Sequence, residues 1–151
     1  MKSSVRLVEV GPRDGLQNIR DTVPTSIKIE LIKRLREAGL KTIELTSFVS
    51  PKAIPQLADC RAVLNDAVIR DMQNDPSLGL PVLVPNLKGL DLAVKHGAKE
   101  VAVFISATEG FSKANINCSV AEGLERASKV CAAAKTAGLI VRGYVSPVFH
   151  S

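Results

Sequence analysis

A chain of 151 residues, 46% apolar and 23% charged, has the composition of an ordinary globular protein with one hydrophobic core. No apolar run approaches the roughly 20 residues of a helical membrane span, which excludes an integral helical membrane protein. The net charge of +5 is spread along the chain without a basic block or interleaved aromatics, which argues against a nucleic-acid surface and suits a polyanionic ligand only where charges converge.

The apolar run from Val5 predicts a first strand that breaks at Gly11-Pro12 into a polar loop holding Arg13, Asp14, Gln17 and Asn18. Thr25 is placed to cap a helix with apolar positions Ile27, Leu31, Ile32, Leu35 and Ala38, stopped by Gly39. Leu40 to Leu45 is the second strand, followed by a loop over Thr46 to Pro55 and a helix around Leu57 to Met72. Pro81 to Val84 is the third strand, with Asn86 placed to cap a helix over Leu87 to His96. Glu100 to Ile105 is the fourth strand, and Ser106 to Cys118 reads as a loop. Ser119 and Glu122 form a capping box for a helix whose buried stripe is Leu124, Ala127, Cys131 and Ala134, and Leu139 to Val145 is the fifth strand. Gly39, Gly79, Gly97 and Gly138 each read as a helix-ending glycine placed before a strand, a weak internal repeat that marks four βα units plus one strand.

Strands alternating with helices at this spacing imply a parallel sheet. Periodicity alone does not separate an open doubly wound sheet from part of a barrel. Two features favour an incomplete TIM (β/α)8 barrel: no glycine-rich dinucleotide fingerprint follows the first strand, and the distinctive loops all follow strands. A complete barrel needs about 250 residues, so five strands do not close one.

Some residues stand out on physical grounds alone. Asp14 beside Arg13 at a strand tip offers a hard oxygen donor for a divalent cation and a fixed positive charge. Glu44 lies inside an apolar strand, where an unpaired carboxylate is costly, so it is expected to pair with Arg13 or Arg142. Arg142 and Tyr144 share one face of the fifth strand by the period-two rule. Asn86 reads equally well as a plain helix cap. Three cysteines without CxxC spacing argue against a disulfide framework and fit a reducing compartment; Cys131 reads as packing, and Cys118 lies beside a loop motif.

The stretch Gly11-Pro12-Arg13-Asp14-Gly15-Leu16-Gln17-Asn18 resembles the signature of the metal-dependent acyl-CoA lyase and Claisen synthase superfamily. Thr46 to Lys52, Pro85 to Gly89 and Phe111 to Ser119 narrow the resemblance to the 3-hydroxy-3-methylglutaryl-CoA lyase family, over about Val5 to Ser146. On that resemblance, residues 1–151 are the N-terminal part of one barrel domain, with a tail at 147–151 that departs from the family. The implied reaction is retro-Claisen cleavage of 3-hydroxy-3-methylglutaryl-CoA to acetyl-CoA and acetoacetate, in leucine degradation and ketone-body metabolism. It implies Asp14 as a ligand to Mg2+ or Mn2+, Arg13 and Glu44 as catalytic, and Arg13, Gln17, Ser47, Asn86, Arg142 and Tyr144 as substrate-binding. Ser112, Lys113, Asn115 and Asn117 resemble an acyl-CoA contact loop.

The family's His-x-His ligands, further Asn ligand and catalytic-cysteine loop have no counterpart here; His96 ends a helix and His150 lies in the tail. The chain is therefore expected to be inactive and poorly stable alone. The resemblance implies a small-molecule acyl-CoA partner, neither nucleic acid nor membrane, and a homodimer for the full-length family member. It also implies the mitochondrial matrix, although Met1 to Ser4 leave no room for a presequence, which points to the cytoplasm for the chain as given. The alternatives are a related Claisen synthase or aldolase, or a non-catalytic half-barrel partner subunit.

Overall fold

The computed structural model describes residues 5–147. The expectations for residues 148–151, including His150 in the tail, lie outside them. Four parallel strands stand side by side in chain order: β1 (Thr46–Ser47), β2 (Pro81–Leu83), β3 (Glu100–Ser106) and β4 (Ile140–Ser146). Thr46 lies opposite Val82, Val82 opposite Val101 and Val101 opposite Val141. A doubly wound sheet must reverse its strand order at a switch point, and this sheet does not. The consecutive order is that of a barrel wall and decides what periodicity left open.

The helices are α1 (Thr25–Glu37), α2 (Cys60–Asn65), α3 (Ala67–Gln73), α4 (Leu87–Lys95), α5 (Glu109–Ile116) and α6 (Val120–Thr136). Ile32, Leu64, Ile69, Leu90 and Val130 from five of them meet Val82, Val101 and Val103 in a single buried cluster. Each such side chain contributes about 1.5–3 kcal/mol by leaving water, so this face of the sheet holds the layers together. Glu100, Arg142 and Tyr144 alternate with those valines, or face their partners in register, and occupy the opposite face.

Several boundaries differ from the sequence reading. The first strand shrinks to a bridge at Glu9, whose N–H donates to Thr42 O (2.9 Å) and whose carbonyl accepts from Glu44 N (2.8 Å). Val5 and Leu7 are 85% and 72% exposed, so this edge segment has too little packed against it to extend the ladder. The second strand likewise starts as bridges at Thr42 and Ile43 and becomes regular only at β1.

The long helix expected from Leu57 is a short 3-10 turn (Pro55–Leu57) followed by α2 and α3. The break falls at Asp66, extended at ψ 140°, whose carboxylate accepts from Val68 N (2.8 Å) and caps α3. The supposed loop after β3 contains α5, started by Thr108, whose hydroxyl accepts from Phe111 N (3.3 Å). Serine and asparagines of weak helix propensity hid it; packing of Phe111 edge-on to Phe104, centroids 6.2 Å apart, overrides them.

The α6 capping box forms as expected, and of the expected stripe Ala134 is buried and Ala127 and Cys131 pack against the core; Leu124 instead is 48% exposed, and Gly123 and Val130 are buried beside the stripe. Gly39, Gly97 and Gly138 take positive φ (96°, 83°, 74°) to end their helices. Gly79 does not share that role: a Cβ there would come within 3.0 Å of the Glu100 carboxylate.

Candidate active site at the carboxyl end of the sheet

Beyond Glu9 the chain closes a single π-helical turn, Gly11–Gly15, in which the amides of Arg13, Asp14 and Gly15 converge on Val10 O at 3.1, 2.7 and 3.4 Å. Pro12 has no N–H to lose in this first turn. Glu9 Oε1 accepts from Gly11 N (2.6 Å), which fixes the departure of the turn from the sheet. The turn carries Arg13 over Glu44.

Glu44 is fully buried, and both carboxylate oxygens are occupied. Oε1 accepts from Arg13 Nε and Oε2 from the Tyr144 hydroxyl. A buried carboxylate survives only when paired and hydrogen-bonded, and this one has a cation and a neutral donor. Burial, and then the adjoining Glu44 carboxylate, push the Tyr144 hydroxyl well above its ordinary value. Tyr144 therefore stays protonated at physiological pH and serves as a donor, not a base.

Arg13 also donates from Nη1 to Asp14 Oδ1 (2.7 Å). The Arg13 side chain is 12% exposed and that of Asp14 51%, so the triad steps from solvent into the protein. Among the described residues the bonds of Arg13 use Nε and Nη1, leaving Nη2 for another partner.

These groups border a cleft of about 630 Å3, lined among others by Arg13, Asp14, Gln17, Phe104, Phe111 and Tyr144. That volume lies within the roughly 300–1,000 Å3 range of small-molecule sites. Other expected site residues stand apart from its lining. Ser47 is buried and its hydroxyl donates to Leu83 O (3.2 Å), joining β1 to β2. Asn86 caps α4, with Oδ1 accepting from Gly89 N (2.9 Å). Arg142 leaves Glu44 to Arg13 and lies 3.8 Å from Glu100, a carboxylate that burial raises above its usual range.

Of the proposed contact loop, Asn115 borders the cleft, whereas Ser112 is fully buried in α5. His96 stacks on Phe48 (6.3 Å, 21°), away from the cleft lining. The three cysteines are free thiols. Cys118 is buried and outside the cleft lining, and Cys131 packs against the core. Among the described residues, no three His, Cys, Asp or Glu side chains are grouped to hold a metal. Asp14 is one half-exposed hard donor, and a hard divalent cation needs about six.

Sequence reasoning missed Lys28, 2% exposed, whose ammonium donates to Asp59 Oδ1 and Gln56 O, both at 2.6 Å. Its i, i+4 relation to buried Ile32 was the available signal, since it puts a lysine on the core-facing stripe of α1.

Residues 4–148 match the model of the HMGL-like family. The chain is 54% identical over 144 residues to the mitochondrial hydroxymethylglutaryl-CoA lyase of Bos taurus, covering 95% of this chain and 43% of that protein. The crystal structure of hydroxymethylglutaryl-CoA lyase from Pseudomonas aeruginosa superposes with a TM-score of 0.84 at 50% identity, over 93% of this chain and 45% of that one. An HMG-CoA lyase from Acinetobacter baumannii in complex with coenzyme A and 3-methylmalate superposes at 0.81 with 35% identity, over the same shares of the two chains. The chain thus spans somewhat under half the length of these relatives, and its sheet is a segment of their TIM-barrel fold. With the Arg-Asp turn, the buried glutamate beneath it and nearly every residue inside the family match, this chain belongs to the HMGL-like family.

Proposed function

We propose that the chain supplies the catalytic arginine face of a hydroxymethylglutaryl-CoA lyase, an enzyme that cleaves 3-hydroxy-3-methylglutaryl-CoA to acetyl-CoA and acetoacetate. The observation that carries this reading is the junction of Arg13, Glu44 and Tyr144 at the edge of the cleft, in a chain 54% identical to such a lyase. In the reaction the substrate hydroxyl gives up its proton, its carbon becomes the ketone of acetoacetate, and the carbon–carbon bonding pair leaves as the thioester enolate. Protonation of that enolate gives acetyl-CoA.

Arg13 is the group we assign to the enolate oxygen. Its planar fork suits an oxyanion, and Nη2 is left over after its bonds to Glu44 and Asp14. Glu44 holds the guanidinium plane, and protonated Tyr144 holds Glu44, so Arg13 arrives already oriented. Gln17 and Asn115 are assigned to polar parts of the substrate from their places on the cleft. We assign Asp14 as one oxygen ligand of a Mg2+-class ion, with the remaining donors outside the described residues. Such an ion, when bound, polarises the substrate's hydroxyl and carbonyl oxygens. The three free thiols suit a reducing compartment.

A chimera tests the assignment: this chain replaces the matching segment of the cattle relative, and acetoacetate release is measured with added Mg2+. Turnover is the expected result. A folded chimera that binds substrate without cleaving it counts against the reading.

A further inference from the structure

Two segments that border the cleft have little regular structure of their own. One follows the π-helical turn and includes Gln17 and Asn18; the other joins β1 to α2 and includes Ala53 and Ile54. The second is held directly by a single buried ammonium, and the first is tied to the second through Gln56. Lys28 of α1 donates to Gln56 O and to Asp59 Oδ1, at 2.6 Å each. The second oxygen of Asp59 accepts from the Thr25 hydroxyl at 2.7 Å, so the carboxylate spans the first turn of α1. Gln56, gripped by its carbonyl, donates from Nε2 to Ile19 O at 3.0 Å.

We propose that Lys28 is a positioning residue: its ammonium fastens residues 50–59 to α1 and, through Gln56, fastens residues 16–19 as well, making one wall of the cleft a single unit. Lys28 is outside the cleft lining and acts only through what it holds. A long, flexible side chain taken out of water needs a strong reason to be there, and an ion pair plus a carbonyl bond supply it. An apolar residue at this helical position would pack α1 equally well, but it would not gather two loops. The link to ligand binding rests on the reading of the cleft as a coenzyme A thioester site.

The two segments have convenient reporters, because exposed Arg20 directly follows the first and exposed Lys52 lies in the second, and both are trypsin sites. In the chimera that carries this chain, limited proteolysis read by mass spectrometry compares the wild-type sequence with Lys28→Met and Gln56→Ala. Lys28→Met should speed cleavage after both Arg20 and Lys52 about tenfold, with Lys129 in α6 unchanged. Gln56→Ala, which touches only the tie to Ile19, should speed cleavage after Arg20 alone. Faster cleavage at Lys129 in parallel, or unchanged cleavage at either loop in Lys28→Met, overturns the proposal.

Titration with coenzyme A gives the second arm, with affinity expected to fall about tenfold in Lys28→Met as the loops loosen. Equal affinity in wild type and a loosened Lys28→Met overturns the positioning role. A wild type that does not bind coenzyme A counts against the ligand assignment alone, and the cleavage pattern then decides whether Lys28 fastens the two loops.

Discussion

The inner face of the sheet carries two arginine–glutamate pairs, and they are built differently. At the cleft, Glu44 has both oxygens bonded, one to Arg13 and one to Tyr144. Two residues back along β4 from Tyr144, Arg142 stands 3.8 Å from Glu100 at the start of β3, and its Nε has no hydrogen-bond partner among the described residues. The first pair holds a guanidinium in one orientation beside a cavity. The second leaves a carboxylate that burial makes easier to protonate, with Arg6 and Arg142 only partly offsetting that effect. The same two residue types thus give a preorganised cation in one place and a loosely matched buried charge in the other, and hydrogen-bond geometry makes the difference.

The contrast is broken most strongly at Glu44. Glu44→Ala strands Arg13 and the Tyr144 hydroxyl and should cost about 3–5 kcal/mol, read as a lower urea midpoint. A loss below about 1 kcal/mol would mean that solvent replaces the carboxylate freely.

Arg13→Gln comes next. In the active chimera it should lower kcat about a hundredfold or more, with a much smaller change in KM, because the charge is needed most where the enolate develops. Unchanged turnover would remove Arg13 from the chemistry.

Tyr144→Phe removes one donor from a charged acceptor and should destabilise by about 1.5–3 kcal/mol. Thermal melting of Tyr144→Phe beside Arg142→Met sharpens the comparison, since loss of the weakly matched Arg142 should shift the midpoint less. The reverse order would make the Glu100 pair the stronger one.

Glu100 gives the smallest effect and one with a definite sign. Its carboxyl is raised in the folded state, so the associated stability is fully present below the ordinary carboxylate value and is lost as pH rises through the raised one. Groups that are lowered by their own hydrogen bonds, such as Asp75 and Glu122, run the opposite way but are common to both proteins compared. The melting temperature of Glu100→Gln minus that of wild type should therefore increase from about pH 4 to about pH 7. A constant difference would show that Glu100 titrates normally.

Much of this was legible in the chain. Glu44 calls for a cation because a carboxylate amid Thr42-Ile43-Leu45 has no other way to stay buried, and Arg13 is one of two partners the sequence offers. What stayed hidden was the choice between Arg13 and Arg142, which depends on how far each strand is offset from its neighbour. Helix α5 was hidden because Ser112 and Asn115 speak locally for a loop, while the contact with Phe104 that stabilises it depends on how α5 folds back against β3, the strand before it. The latch at Lys28 was hidden because Asp59 and Gln56 lie 31 and 28 residues away.

The sequence by itself determined the alternation of strands and helices, the glycines that end Glu37, Lys95 and Thr136's helices, the capping box at Ser119, and the Arg13-Asp14 turn, because these depend on neighbours a few residues apart. Only the tertiary structure decided the consecutive strand order, the pairing of Glu44 with Arg13 and Tyr144, and the gathering of two loops on Lys28. Those depend on strand offset and packing between segments up to 100 residues apart, which no local pattern encodes.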